Sequence, residues 1–301
     1  MRKKGPTPFS QKGIKMQEIL EVLQDTAIDT IKLLPFLFIT YLIMEYIEHK
    51  TSNKVKDVIK KSGKFGPLLG AIVGVFPQCG FSVSATNLYA GRVITLGTLI
   101  SVYLATSDEM LPILLTEAVP AGTIFTILGI KLVLGMVAGF IIDFVIRMFR
   151  KEKVEEQEEK IEEICEHEHC HCEEGIVTSA IKHTLNITIF IFFITLVLNG
   201  IIAYIGEDTI AHFISKNVIL GPIVAGLIGL IPNCASSVIL TELFISNVIS
   251  MPVLISGVAV NAGVGLLVLF KTNKNVKENI KIVGILYLIG VLAGIILELF
   301  L

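Results

Sequence analysis

Long, nearly uninterrupted apolar runs constrain the fold of this chain more than any other feature. They cover residues 28–47, 121–146, 184–205 and 282–301. A helix needs about 20 apolar residues to cross the ~30 Å hydrocarbon layer of a membrane, whereas a β-barrel would show short alternating segments. Because 53 % of the residues are hydrophobic, the pattern predicts an all-α polytopic membrane protein.

The chain also shows an internal duplication. IVGVFPQCGFS at 72–82 and LIGLIPNCASS at 227–237 lie 155 residues apart, and the same offset aligns further positions without gaps. The shared Pro-x-Cys-x-x-Ser-x-x-x-Thr spacing is hard to obtain by accident, so we expect two structural repeats, near 28–147 and 183–301. The expected organisation is an N-terminal interfacial segment, a first repeat, a charged linker and a second repeat, at 1–27, 28–147, 148–176 and 177–301.

Loop charge indicates how the repeats are oriented. Residues 48–64 hold six lysines, whereas the equivalent 203–219 hold one lysine and two acids. Conversely, 116–125 carry a single glutamate, whereas 271–280 carry three lysines. Because cationic loops stay in the cytoplasm, equivalent loops should lie on opposite faces. The pattern predicts two inverted repeats of about five transmembrane helices each, with a cytoplasmic linker between them.

Each repeat places a proline and several polar side chains inside an apolar stretch. Pro77 and Pro232 each remove a helical hydrogen bond, and in a membrane the freed groups must be satisfied by protein or by water in a cavity. Broken helices near the midplane, in corresponding positions, indicate a transport site; for a single such stretch, helix packing is the alternative. The expected substrate-binding residues here are Pro77, Gln78, Cys79, Ser82, Thr86, Asn87, Pro232, Asn233, Cys234, Ser237, Thr241 and Glu242.

Charged residues interrupt two further apolar regions. Asp108 and Glu109 are adjacent carboxylates, which are costly inside a membrane and functional by default; a short surface loop is the alternative. In the second repeat, Asn261 occupies the position equivalent to Thr106. Lys131 could pair with the carboxylates, take part in proton coupling or extend to the interface. We therefore expect Asp108, Glu109 and Asn261 to bind substrate, and Asp108, Glu109 and Lys131 to serve coupling.

The linker contains the run CEHEHCHCEE at 165–174. Three thiols and three imidazoles within so few residues are typical of metal binding, and thiolate and imidazole suit Zn²⁺, Cu⁺, Ni²⁺ or Co²⁺. The spacing is too crowded for a zinc finger, which favours a chelating or sensing loop; a merely solvated acidic loop is the alternative. The candidate metal ligands are Cys165, His167, His169, Cys170, His171 and Cys172.

Three motifs carry a resemblance to a known family: VFPQCGFS at 75–82, ATSDE at 105–109 and IPNC at 231–234. The chain resembles the ten-transmembrane heavy-metal exporters, which are related to ArsP-type arsenic permeases and are often labelled manganese transporters. The resemblance covers nearly the whole chain, and it implies an inner-membrane exporter with five helices in each half. The sequence shows no phosphate-binding loop and no aspartyl-phosphate signature, so we expect secondary transport, not an enzyme.

The sequence therefore predicts a secondary transporter that exports a Mn²⁺-like or arsenic-type ion. Carboxylates favour Mn²⁺ and thiols favour Zn²⁺ or trivalent arsenic, so the ion stays open. A permease for a small organic or anionic solute is the alternative, because half-helix N-termini bind anions; a non-transporting membrane sensor is a third. We expect the metal ion as substrate without a required cofactor, the lipid bilayer as partner and no nucleic acid, with a homodimer left open.

Overall fold

The computed structural model describes part of residues 23–42 and all of 65–77, 80–149, 176–205 and 220–300. These residues form α-helices and short connections, and the described ranges contain no β-strand. Helical residues within 23–42 precede the numbered helices. The numbered helices are α1 (Gly66–Val75), α2 (Gly80–Ala90), α3 (Leu96–Ala105), α4 (Met110–Thr116), α5 (Ala121–Phe149), α6 (Ile176–Ile205), α7 (Leu220–Gly229), α8 (Cys234–Ile245), α9 (Met251–Val260), α10 (Gly265–Thr272) and α11 (Val276–Phe300).

Five stretches within the described residues are long and apolar enough to cross a membrane. Large apolar side chains also point outwards, among them Phe125 at 74 % exposure and Phe144 at 67 %, as expected of a surface that faces lipid. The chain is a multi-pass helical membrane protein, as the sequence predicted. The five stretches are Leu96–Thr116, Ala121–Met148, Ala180–Val197, Met251–Thr272 and Val276–Phe300.

The first proline interrupts the chain between α1 and α2, where the sequence predicted a break. A β-carbon at Gly66 would touch Thr98, and one at Gly74 would touch Val102 and Ala105, so α1 runs parallel to α3. The chain then returns along α2 and enters α3 at Leu96. Helices α1 and α2 therefore form a helical hairpin, which begins and ends beside the start of α3.

The second half repeats this hairpin with α7 and α8. A β-carbon at Gly229 would touch Gly257 and Val260, which places α7 along α9 as α1 lies along α3. Ser101 donates to the carbonyl oxygen of Pro67 at 2.5 Å, and the equivalent Ser256 donates to that of Pro222 at 2.7 Å. The two halves thus share their internal packing as well as their sequence pattern.

A second interruption lies within the spans formed by α3 with α4 and by α9 with α10. Residues 106–109 and 261–264 separate these helices. Thr106, Ser107 and Asp108 are at most 4 % exposed, so they do not form the surface loop that was the alternative. The sequence indicated this break only in the first half, where it is charged; the second-half break at the equivalent residues was missed.

Helix packing follows the duplication. In the first half α3 packs against both α1 and α5, and in the second half α9 packs against both α7 and α11. Across the halves, α2 packs against α10 and α8 packs against α4. The first helix of each hairpin, α1 or α7, therefore packs within its own half. The second helix, α2 or α8, packs against the interrupted span of the opposite half.

The connections identify two ends of the helical bundle. At the Arg92 end, Arg92 binds Glu278 through two hydrogen bonds of 3.0 and 3.2 Å, and Thr95 donates to Asp143 at 2.7 Å. At the Ile249 end, Ile249 and Val253 share a core cluster with residues of α4 and α5. Helix α3 begins at the Arg92 end, whereas α9 begins at the Ile249 end.

Candidate functional site

The hairpin turns lie at the same depth as the interruptions of the long spans. A β-carbon at Gly74 would lie 2.7 Å from the carbonyl oxygen of Val102, and one at Gly229 would lie 2.1 Å from that of Gly257. Only glycine allows such close approach of two helix backbones. The first hairpin turn is therefore held next to the C-terminal end of α3, and the second next to the C-terminal end of α9.

Lys131 joins the two halves at this depth. Its side chain is fully buried, and its ammonium group donates to the carbonyl oxygens of Thr106 in the first half and Val258 in the second, the latter at 2.8 Å. The two interruptions therefore lie side by side. The ammonium binds these carbonyls within the protein and does not extend to the membrane interface.

Asp108 provides the buried negative charge of the site. It is 4 % exposed, and neither carboxylate oxygen has a hydrogen-bond partner among the described residues. Its backbone has a φ of 21°, and the equivalent Gly263 has a φ of 54°. A buried carboxylate without a hydrogen-bond partner is costly, so Asp108 can accept hydrogen bonds from a ligand or from water, or bind a cation. The adjacent Glu109 is partly exposed.

A hydroxyl network links the first hairpin to the second half. The Thr86 hydroxyl lies 2.6 Å from the Tyr103 hydroxyl, and the two hydroxyl oxygens lie 3.2 and 3.3 Å from the carbonyl oxygen of Gly265. Thr86 was predicted as a site residue; Tyr103, which is fully buried, was not, because a single tyrosine in an apolar run carries no distinctive pattern. Ser82, which is also buried, accepts from Thr86 through its carbonyl oxygen at 2.7 Å.

Two asparagines present unused donors. Asn87 and Asn261 are each at most 2 % exposed, and the side-chain nitrogen of each lacks a partner within the described part of the chain. The side-chain oxygens are used: that of Asn87 accepts from Tyr41 at 3.5 Å, and that of Asn261 accepts from the backbone of Gly263 at 2.8 Å. The amide groups can therefore donate to a ligand oxygen or to water.

In the second hairpin, polar groups mainly stabilise their own helix. The Asn233 side chain accepts from the amide of Ala235 at 3.4 Å as the N-cap of α8. Ser237 and Thr241 donate to carbonyl oxygens of α8 at 2.8 and 2.6 Å. Cys234 is a buried thiol at the start of the helix, at 6 % exposure.

Other predicted residues lie at the edge of this arrangement or outside the described residues. Pro77 and Glu242 are exposed, and Pro232 is partly exposed. Among the described residues, no three His, Cys, Asp or Glu side chains come together as a metal site would need. The remaining predicted positions lie outside the described residues: Gln78, Cys79, Cys165, His167, His169, Cys170, His171 and Cys172.

A family model covers the first hairpin and the acidic interruption. It matches residues 16–203 and is described as "Putative, 10TM heavy-metal exporter". The chain belongs to this family. No curated protein and no solved structure matches the chain. The match confirms the resemblance found in the sequence. It covers the predicted first repeat of this exporter-family chain, the predicted linker and the beginning of the predicted second repeat.

The exporter family's ten spans can be compared with the described helices. Five stretches are long enough to span, and α1, α7 and α8 are shorter apolar helices. The shorter helices belong to the two hairpins. In this member of the exporter family, the buried polar groups therefore gather where short hairpin helices meet interrupted long ones.

Proposed function

We propose that the chain is a secondary transporter that exports a heavy-metal or metalloid ion by alternating access between two inverted halves. It moves its substrate across the inner membrane without chemical conversion, and the driving force is an ion gradient. The family assignment supports export of a heavy metal. The choice of ion, the coupling and the orientation go beyond that assignment and are part of the proposal.

The observation that carries the proposal is the Asp108 carboxylate. It is buried where the two halves meet, and it has no hydrogen-bond partner among the described residues. Intramembrane carboxylates of this kind mark ion pathways in transporters. Asp108 is the group we assign to substrate or coupling-ion binding, with the amide nitrogens of Asn87 and Asn261 as further polar contacts.

Inverted halves are supported by the directions of equivalent helices. Helix α3 begins at the Arg92 end, whereas α9, its equivalent 155 residues later, begins at the Ile249 end. Inverted repeats let one half adopt the arrangement of the other in turn, which exposes a central site to each side of the membrane alternately. Asp108 lies in the interruption between α3 and α4, between the two ends of the bundle.

The distribution of lysine and arginine supports the orientation. The Arg92 end carries the basic residues of the connections and helix ends, including Arg92, Arg147, Lys271, Lys274 and Lys277. The connections at the Ile249 end, 117–120 and 246–250, contain no lysine or arginine. By the positive-inside rule, we assign the Arg92 end to the cytoplasm, the side on which the sequence predicts the linker.

The side chains that transport requires distinguish a Mn²⁺-like ion from a soft ion such as Zn²⁺ or trivalent arsenic. Asp108 is a hard oxygen ligand and favours Mn²⁺-like ions, whereas the Cys234 thiol, with Cys79, favours Zn²⁺ or trivalent arsenic. Transport of a soft ion should be lost in the C79A/C234A variant. Transport of Mn²⁺ through the carboxylate should largely persist in C79A/C234A and be lost in D108N.

The decisive experiment is a transport assay with purified protein in liposomes. A panel of Mn²⁺, Zn²⁺ and arsenite is tested with and without an imposed pH gradient, and protein-free liposomes and D108N serve as controls. Export is supported by gradient-dependent movement of one of these ions that D108N abolishes. Equal fluxes in protein-containing and protein-free liposomes would overturn the proposal.

A permease for a small anionic solute is the second candidate function. The observation that favours it is that α2 and α8 begin at the two hairpin turns, because helix N-termini bind anions. Asn233 already caps α8, which weakens this candidate. Deletion of 165–172 discriminates: unchanged metal tolerance, combined with absence of metal transport in liposomes, would favour the permease.

A further inference from the structure

Two helix C-termini, one from each half, converge on a single point. Thr106 is the C-cap of α3, and Val258 lies in the last turn of α9. Carbonyl groups in the last turn of a helix lack intrahelical partners and carry the negative end of the helix dipole. Because both carbonyl oxygens accept from the Lys131 ammonium, the convergence creates a position that favours a cation.

Backbone carbonyls at interrupted helices are the ligands that bind alkali cations in membrane proteins. Unwound segments and half-helix C-termini hold Na⁺ in secondary transporters, and rings of carbonyls replace the hydration shell of K⁺ in channels. Asp108 adds a buried negative charge two residues after Thr106. The geometry around Lys131 therefore resembles a cation site whose ion has been replaced by a side chain.

We propose that the carbonyl oxygens of Thr106 and Val258 form a monovalent-cation site that the Lys131 ammonium occupies as a covalently tethered cation. The unmodified protein therefore binds no free Na⁺ at this position. A small neutral side chain at position 131 vacates the site and leaves it open to Na⁺. The inference deepens the proposed transport function. Only a role of the site in coupling rests on that function, whereas binding of Na⁺ to the vacated site does not.

The duplication provides a matched control. Leu286 stands 155 residues after Lys131 and is also fully buried. A substitution there removes a large buried side chain in the equivalent helix, α11, but removes no charge and vacates no carbonyl pair. L286S therefore reports the effect of a buried cavity alone, whereas K131S reports the cavity together with the vacant cation position.

The test measures Na⁺ binding by the full-length protein in detergent. Wild type, K131S and L286S are unfolded by heat in NaCl or in choline chloride at equal ionic strength, and radiolabelled Na⁺ binding is measured in parallel. For K131S we expect saturable Na⁺ binding and a Tm higher in NaCl by about 2–4 °C once Na⁺ exceeds its dissociation constant several-fold. Wild type and L286S should show neither effect.

A second variant keeps the proposal testable if K131S is unstable. K131A also removes the charge and leaves no side-chain donor for the two carbonyl oxygens, so Na⁺ is expected to bind and stabilise it as well. Folded K131A without any Na⁺ response would overturn the proposal. None of these measurements uses the exported ion, so failure of metal transport in wild type would refute the proposed function separately.

Discussion

Ser101 and Ser256 make the same hydrogen bond in the two halves of the molecule. Each serine donates to the carbonyl oxygen of a proline in the first turn of the parallel hairpin helix, Pro67 at 2.5 Å and Pro222 at 2.7 Å. Both serines are fully buried. The duplication is therefore present in individual side-chain contacts, and these contacts fix each hairpin to its long span.

The serine hydrogen bonds should stabilise both halves to a similar degree. In S101A and S256A, a buried proline carbonyl loses its donor, so we expect each to lower the free energy of unfolding by about 1 kcal/mol. Denaturant unfolding in detergent measures this, and S246A, at an exposed position, should change little. A loss in S101A with none in S256A would show that the two contacts are not equivalent in stability.

Much of the fold follows from residues that recur at a fixed offset. The apolar runs predicted the long helices. Pro77 and Pro232 predicted the two helix breaks, at which the structure has the hairpin turns. The interruption at 261–264 was missed because Asp108 has no charged counterpart there. Gly263 occupies the position of Asp108 and has a positive φ, so a glycine in register with the acidic residue was the available signal.

The details of the site were harder to predict than the positions of its elements. Lys131 binds backbone carbonyls 25 and 127 residues away in sequence, and backbone acceptors leave no trace in residue types. Equivalence of position in the two repeats was also misleading. Asn87 is buried, whereas Glu242, at the equivalent position of the second hairpin, is exposed. Equivalent helices meet different neighbours, so equivalent side chains do not share an environment.

Close helix contact at the hairpins should make two equivalent glycines intolerant of substitution. In G74A and G229A the new methyl group would lie 2.7 and 2.1 Å from facing carbonyl oxygens. We expect each variant to lower the free energy of unfolding by about 1–3 kcal/mol through overpacking. Thermal unfolding in detergent measures the loss.

Two further glycines provide the control for this prediction. Gly129 and Gly284 are also 155 residues apart, and a β-carbon at either would meet nothing within 4 Å. Because alanine is the better helix former, G129A and G284A should be neutral or should raise stability by up to about 1 kcal/mol. Equal destabilisation in all four variants would contradict close packing at the hairpins as the cause.

The contact between Arg92 and Glu278 should couple the two halves at one end of the bundle. The pair is bidentate, with side chains 29 % and 24 % exposed, and the hydrogen bond to Glu278 raises the pKa of Arg92 above its ordinary value. A double-mutant cycle with R92Q, E278Q and R92Q/E278Q should give a coupling energy of roughly 1 kcal/mol that decreases with added salt. Strictly additive single effects would show that the pair contributes nothing to holding this end together.

Asp108 should be required for transport but not for folding. The carboxylate is buried without a hydrogen-bond partner among the described residues. In the isosteric amide, the gain from removing this buried charge is offset by the loss of its attraction to the buried Lys131 ammonium, so Tm should change little. Loss of one ion contact of about 1.4 kcal/mol corresponds to a tenfold effect, so D108N should reduce ion flux into liposomes by about tenfold or more. The partly exposed Glu109 is the neighbouring control, because a solvated carboxylate contributes less, and E109Q should retain most of the flux. A D108N protein that unfolds at a lower temperature and transports normally would assign the carboxylate to stability rather than to ion binding.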